Sequence, residues 1–278
     1  MSLISILVGI FVILRQPSNG DPGSSVSAIE SRAGSALLSR IERTKELHAG
    51  YGVYPPYTQE DPITRKVTGF SVDLIEYIAK DLNCRVVWHR FNWNTMAADL
   101  KRGEFDVIAD PIFQTIPRAR EFAFTTPYAY FADGIAMVRR GDTRFRTFES
   151  LDSPGIRIAV GQGWASETLV RASFTKATVV PIQTTTDLLQ VFNEVLAGRV
   201  DVAVADAADA ERFAKEHAND VSLLFTNNPP AYMPAGLALQ TSDREGAEFL
   251  NVALRNLEAT GVLEALSRKY GIVTRLAK

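Results

Sequence analysis

Residues 106–128 carry the densest chemistry in the chain. A short apolar strand over 106–109 runs into Asp110 and Pro111, and a turn-rich segment follows with Arg118, Arg120 and Glu121. Open α/β sheets bind ligands beyond the carboxyl ends of their strands, and an Arg placed there offers a planar fork of donors that fits a carboxylate. The same letters also describe solvated surface charges, with Arg118 and Arg120 pairing with Glu121. A second stretch bears on the choice. Residues 100–110 read as helix end, capping Gly103, Asp106, strand, Asp110, and residues 196–206 repeat that order with Gly198, Asp201 and Asp206. One helix–strand unit thus occurs twice, which predicts two similar lobes that each deliver an acid at a strand end.

Other chemistry is thinly represented. His48, His89 and His217 have no partner at metal-ligand spacing. Gly161-Gln162-Gly163 lacks the third glycine and the lysine of a phosphate loop, and no serine, histidine and aspartate set stands out. No metal, cofactor or catalytic residue is therefore expected. A formal net charge of -2 provides no basic face for phosphates and argues against nucleic acid as a partner. Cys84 is the sole cysteine, so no intrachain disulfide forms; it reads as a buried strand residue and leaves the redox compartment open.

The elements that must position these residues follow from periodicity. Helices are expected at 35–45, 71–83, 93–102, 165–171, 185–197, 207–216, 246–259 and 261–270, with a short one at 148–151. Over 71–83 the apolar stripe Val72, Ile75, Ile78, Ala79 and Leu82 carries Asp73 and Glu76 in its first turn. Strands are expected at 47–53, 85–91, 106–109, 131–140, 156–160, 178–181, 202–205, 221–225 and 235–240. That alternation describes an α/β fold with largely parallel sheets. The strand at 131–140 passes Gly134 and should leave the first lobe; the one at 235–240 should cross back.

Residues 3–14 are almost all apolar. Spanning a bilayer takes about 20 such residues, so the run fits the apolar core of a secretory signal better. No Lys or Arg precedes it, and the small-residue site Val26-Ser27-Ala28 lies far downstream. Residues 1–15 are read as a signal or an anchor, with a buried first element as the alternative. Residues 16–37, rich at first in Pro, Gly and Ser, are read as a flexible linker.

From residue 40 to 271 the chain resembles the bacterial extracellular solute-binding proteins of the polar amino-acid type (family 3), receptor subunits of ABC importers. The resemblance rests on residues 38–47, Tyr54-Pro55-Pro56-Tyr57, the segment 69–74 from Gly69 to Leu74, and Trp93. It continues through 103–107, Pro117-Arg118-Ala119-Arg120, 124–128 and 198–206. It implies a periplasmic-binding-protein-like fold (type II), with two lobes joined by two crossing strands and a ligand cleft between them. Lobe 1 would comprise 38–138 plus 236–278, and lobe 2 would comprise 139–235. By the same resemblance Arg118 grips a ligand carboxylate, Asp206 holds an ammonium, and Tyr54 and Trp93 sandwich the ligand side chain.

The chain also departs from that pattern. Phe113 stands where a Ser or Thr is usual, and Trp164-Ala165 replaces a hydroxyl pair. Asp110 occupies a small-residue position, and Tyr51 stands where many members carry an acid. The cleft is therefore expected to be aromatic and acidic, lined by Tyr54, Trp93, Asp110, Phe113, Arg118, Trp164 and Asp206, and suited to a ligand with a cationic or aromatic portion. The implied protein is an extracytoplasmic, monomeric receptor that hands an amino acid or related zwitterion or amine to ABC permease membrane subunits. Two alternatives are a cyclohexadienyl or arogenate dehydratase, with Asp209 as a candidate acid, and a membrane-tethered sensor. The plainer reading of Asp209 is a first-turn acid favoured by the helix dipole.

Overall fold

The computed structural model describes residues 35–185, 187–272 and 275–276. The segment expected at 1–15 and the linker as far as residue 34 lie outside the described residues. Ser35 caps α1 (Ala36–Thr44), its hydroxyl accepting from the Leu38 N–H at 3.1 Å. Residues 36 and 37, assigned to the linker, are thus helical, because Leu37 and Ile41 bury the apolar face of this helix in the core.

The chain continues through β1 (Glu46–Tyr51), β2 (Gln59–Glu60), β3 (Val67–Thr68), α2 (Phe70–Asp81), β4 (Arg85–Arg90) and α3 (Met96–Lys101). Next come β5 (Val107–Phe113), β6 (Phe122–Phe124) and β7 (Ala129–Asp133). The second half holds β8 (Ile135–Arg139), β9 (Arg157–Gly161), α4 (Ala165–Ser173), β10 (Thr178–Ile182), α5 (Gln190–Leu196), β11 (Val202–Ala205), α6 (Ala207–Glu216) and β12 (Val221–Leu224). The return consists of β13 (Ala231–Gln240), α7 (Arg244–Ala259), α8 (Val262–Lys269) and β14 (Arg275–Leu276).

Among the described residues the larger sheet runs β14-β7-β13-β5-β1-β4, with β6 also on β13, and the smaller runs β10-β9-β11-β8-β12. The two share a plan. Three parallel strands, β4-β1-β5 in one and β10-β9-β11 in the other, are followed by an antiparallel strand, β13 or β8. The repeated sequence unit falls at equivalent places. Gly103 and Gly198 take left-handed backbone (φ 76° and 69°) after α3 and α5, which glycine adopts without strain. Asp106 pairs with Arg40 at 2.9 Å and Asp201 with Arg144 at 3.1 Å, so each fastens the start of its strand.

Only Gly134 separates β7 from β8, so the change of sheet comes four residues before the expected boundary at 138. At the return, β13 already pairs with β7 from Ala231, ahead of the expected 235. The cause is burial on both faces. Ile135 and Met137 enter one core cluster of the smaller sheet while Ala136 and Val138 enter the other, which is the alternation of a central strand. Two helices are shorter than expected, leaving Trp93 ahead of α3 and Leu188 ahead of α5. At the second, Asp187 accepts the Leu189 N–H at 2.9 Å, a local bond that competes with helix formation.

β5 was expected to stop at Ala109 and deliver Asp110 to a cleft, but it continues to Phe113. Its register against β13 slips between the pairs Ile112–Gly236 and Ile108–Ala238. This bulge accommodates Pro111, which has no N–H for a ladder. Asp110 is consequently fully buried and accepts the Gly52 N–H at 2.6 Å. Thr58 Oγ1 lies 2.5 Å from Asp110 Oδ1 and 2.5 Å from the Gly52 carbonyl. A hydroxyl has one proton and a carbonyl only accepts, so Thr58 donates to Gly52 and the Asp110 carboxyl supplies the proton of the other bond. Burial pushes Asp110 up to about 7, in keeping with a neutral acid. Asp110 therefore ties the loop that carries Tyr54 to β5 and is not a ligand-facing charge.

The folded protein keeps this proton up to about pH 7, whereas the unfolded chain sheds it near pH 4. The group then lowers stability by about 1.4 kcal/mol per pH unit as pH rises across that window, and not above it. Asp110→Asn retains an acceptor for Gly52 and a donor for Thr58. Urea unfolding of both proteins at about pH 4.5 and about pH 7.5 should show the variant gaining on wild type at the higher pH; an unchanged difference would mean that Asp110 is ionised throughout.

Candidate functional site

β11 ends and α6 begins at Asp206, whose Oδ1 accepts the Ala208 N–H at 2.9 Å and the Asp209 N–H at 3.2 Å. That is the ordinary work of an N-cap carboxylate. The same oxygen accepts the Tyr54 hydroxyl at 3.1 Å, and Tyr54 follows β1 in the larger sheet, so the bond joins the two halves. Burial raises the Asp206 carboxyl above its usual range and holds the Tyr54 phenol well above its own, which keeps Tyr54 a donor. One turn on, Asp209 is buried and meets Arg212 at 2.6 Å. Burial, then the charge of Asp206, push it up to about 7 against the pull of Arg212.

Arg118 opens a single helical turn, Arg118–Arg120, after Pro117. It is half-buried and donates to the carbonyls of Phe113 at 3.3 Å and Gly163 at 3.2 Å. Among the described residues no acidic side chain lies within ion-pairing distance of it. Loss of hydration lowers it to about 10, so it remains a cation at neutral pH. Arg120 and Glu121 are exposed, as the surface-charge reading has them.

Each half also places an indole at the end of a parallel strand, β1 in one and β9 in the other. A Cβ on Gly52, just after β1, would lie 2.6 Å from the Trp93 ring, and one on Gly161, at the end of β9, would lie 2.0 Å from the Trp164 ring. Only glycine lets the rings approach so closely. Trp93 meets Tyr54 edge-on at 6.1 Å, and Phe113 packs on Phe131 at 4.9 Å.

These groups enclose one cavity of about 60 Å³. Tyr54, Trp93, Phe113 and Arg118 form its wall on the larger-sheet side, and Trp164, Ser166, Asp206 and Asp209 its wall on the other. Six of the seven expected residues are brought together; Asp110 lies outside. Tyr51, beyond the cavity as well, donates to Glu60 at 3.0 Å. The volume falls below the roughly 300–1,000 Å³ of most small-molecule sites, because Tyr54–Asp206 and Arg118–Gly163 draw the walls together. A neighbouring cavity of about 410 Å³ shares Trp93, Arg118 and Trp164.

Three participants were not singled out from the sequence as ligand-facing. Leu188 reaches the wall because α5 starts late, and Ser166 reaches it from the first turn of α4. Behind Ser166 stands Asp133, fully buried at the end of β7, which accepts the Ser166 hydroxyl and the Gly134 N–H, each at 2.6 Å. Burial pushes Asp133 up to about 6. Its sequence signal was an acid between apolar Ala132 and Gly134, hidden inside an expected strand. Away from the cavity, His48 and His89 face each other at 2.9 Å across β1 and β4. Glu46 and Arg40 fix their protons: His48 donates to Glu46, so its other nitrogen accepts from His89 and Arg40.

Comparison with known proteins agrees with this geometry. A probable amino-acid ABC transporter-binding protein of Haemophilus influenzae is 28% identical over 235 residues, 84% of this chain and 88% of that protein. A cyclohexadienyl dehydratase of Pseudomonas aeruginosa is 26% identical over 194 residues, 70% of this chain and 69% of that one. Among solved structures, the ancestral amino-acid-binding protein AncCDT-1, described as a precursor of cyclohexadienyl dehydratase, superposes with a TM-score of 0.72 at 26% identity. That match covers 85% of this chain and 99% of the other. The profile of the bacterial extracellular solute-binding proteins, family 3, matches residues 48–273. With two sheets of one plan, two crossings and a cavity between them, this chain belongs to the bacterial extracellular solute-binding proteins, family 3.

Proposed function

We propose that the protein captures an amino acid or a related zwitterion or amine between its two lobes, one built around each sheet, and hands it to ABC permease membrane subunits. Family membership supplies the coarser statement, an extracytoplasmic solute-binding protein. The observation that carries the finer one is the pairing of opposite charges across a single cavity. Arg118, a half-buried cation whose partners among the described residues are carbonyls, faces Asp206 and Asp209 from the other half. A ligand carboxylate replaces the weak carbonyl contacts of Arg118 with a charge-assisted fork, and a ligand ammonium meets Asp206. Because the two charges sit on different halves, a zwitterion favours the state in which they approach, as in hinge closure. Trp93, Trp164, Tyr54 and Phe113 give the remainder an apolar, ring-lined space. The protein acts as a monomer outside the cytoplasmic membrane, with residues 1–15 serving as its export signal or tether.

We read the protein as a receptor and not as an enzyme. One observation favours the dehydratase alternative: Asp209 lines the cavity and holds its proton near neutrality, as a general acid must. Against it, the Asp209 carboxyl is already engaged by Arg212 at 2.6 Å.

Two experiments decide. In a thermal-shift screen against amino acids, polyamines, betaines and carboxylates, a zwitterion or amine should raise the midpoint by mass action. Arg118→Ala should abolish that shift, a loss of about 2–5 kcal/mol of binding for a charge pair that the ligand itself buries, while its own unfolding stays cooperative; an unaltered shift would remove Arg118 from the site. Incubation with prephenate and with arogenate should yield no aromatic product, and turnover that disappears in Asp209→Asn would make the protein a dehydratase.

A further inference from the structure

We infer that Asp133 fixes the Ser166 hydroxyl as an acceptor toward the cavity, so that this part of the wall selects a cationic, donor-bearing group of the ligand. The inference rests on the zwitterion reading above and deepens it by assigning a second charged group to the ligand.

Ser166 is 2% exposed and lines the cavity. A serine hydroxyl is one donor and two acceptor lone pairs, so its character toward a ligand depends on where its proton goes. Here the proton goes to Asp133 Oδ1, at 2.6 Å. Asp133 is fully buried, and its second oxygen, Oδ2, is buried without a hydrogen-bond partner among the described residues. A buried carboxylate that is short of donors cannot release the ones it has without a further desolvation cost. The Ser166 proton is therefore held on the Asp133 side, and only lone pairs remain for the cavity. A ligand carboxylate or carbonyl meets lone pair against lone pair at Ser166, whereas an ammonium or guanidinium meets an acceptor.

The charge balance around the cavity agrees. Asp133, Asp206 and Asp209 stand against Arg118 and Arg212, which leaves one negative charge in excess once the acids, Asp209 at about 7 among them, have given up their protons. A neutral zwitterion does not change that balance; one further cationic group removes it. Ser166 also supplies the hydroxyl that Trp164-Ala165 lacks, but with the opposite polarity to a group that binds a carboxylate by donation. Asp133 does not line the cavity. It precedes Gly134, where the chain changes sheet, and acts through Ser166, so it is a positioning residue.

Matched ligand pairs test this by calorimetry on the full chain: lysine against norleucine, and arginine against citrulline. Wild type should bind the cationic member of each pair at least about tenfold more tightly, the value of one hydrogen bond to a charged group. Ser166→Ala should bring that ratio close to one. Asp133→Ala, which removes the oxygen that takes the Ser166 proton, should do the same. The double variant should lose no more than either single one, because both act through one oxygen. An undiminished ratio in either single variant, or equal binding of both members by wild type, overturns the inference. If wild type melts cooperatively yet binds no zwitterion, the reading of the cavity fails and takes this with it; zwitterion binding without cation preference defeats only the role of Asp133 and Ser166.

Discussion

The Oδ1 atom of Asp206 takes three donors: two peptide N–H groups of α6 and the phenol of Tyr54. Removing a carboxylate from water costs several kcal/mol unless hydrogen bonds replace the lost hydration, and this oxygen is replaced from both halves of the molecule at once. The two N–H bonds set the direction in which α6 leaves β11, which in turn places Asp209 in the wall and Arg212 behind it. The phenol belongs to the other half, so the hydration of a single buried oxygen depends on how closely the halves approach. Separation of the walls exchanges the phenol for water, and the cost of either state is small beside the cost of leaving the oxygen bare.

Four buried acids near the cavity show how little burial alone says about role. Asp110 is the neutral partner of a threonine and a glycine, Asp206 is a helix cap, Asp209 is half of an ion pair, and Asp133 is a carboxylate with one oxygen unserved. What separates them is the count of protons that reach each oxygen. At Asp110 the count falls short unless the acid keeps its own proton. At Asp206 three donors arrive on one oxygen and pull against the burial that raises the carboxyl.

Much of this architecture was legible in the letters. The Gly103 and Gly198 caps, followed by an acid and an apolar run, announced two equivalent strands, and the strands do occupy equivalent positions. Arg118 and Asp206 were singled out because each is a charge at the end of an element, and both reach the same cavity. Illegible features were those decided by a partner far away in sequence. β5 runs past Pro111 because β13, more than a hundred residues on, tolerates a bulge there. Asp110 lost its ligand role to Thr58 and Gly52, and Asp133 gained its place through Ser166. The late start of α5 was set locally by Asp187, yet periodicity from Leu188 onward masked it. Strand order, sheet membership and hydrogen-bond partners are properties of pairs, and a single sequence displays only one member of each.

The interleaving of the two sheets also dictates an order of assembly. Every strand of the smaller sheet lies between residues 135 and 224, so an unbroken piece of chain can complete it. The larger sheet is different, because β5, β6 and β7 are all paired by β13, the last long strand to be made. Until residue 240 is available, the middle of that sheet is missing: β5 has only β1 beside it, and β6 and β7 have nothing to join them to it. Such long-range pairing carries a high loop-closure cost and forms slowly. The half of the molecule that is synthesised first is thus the half that is finished last.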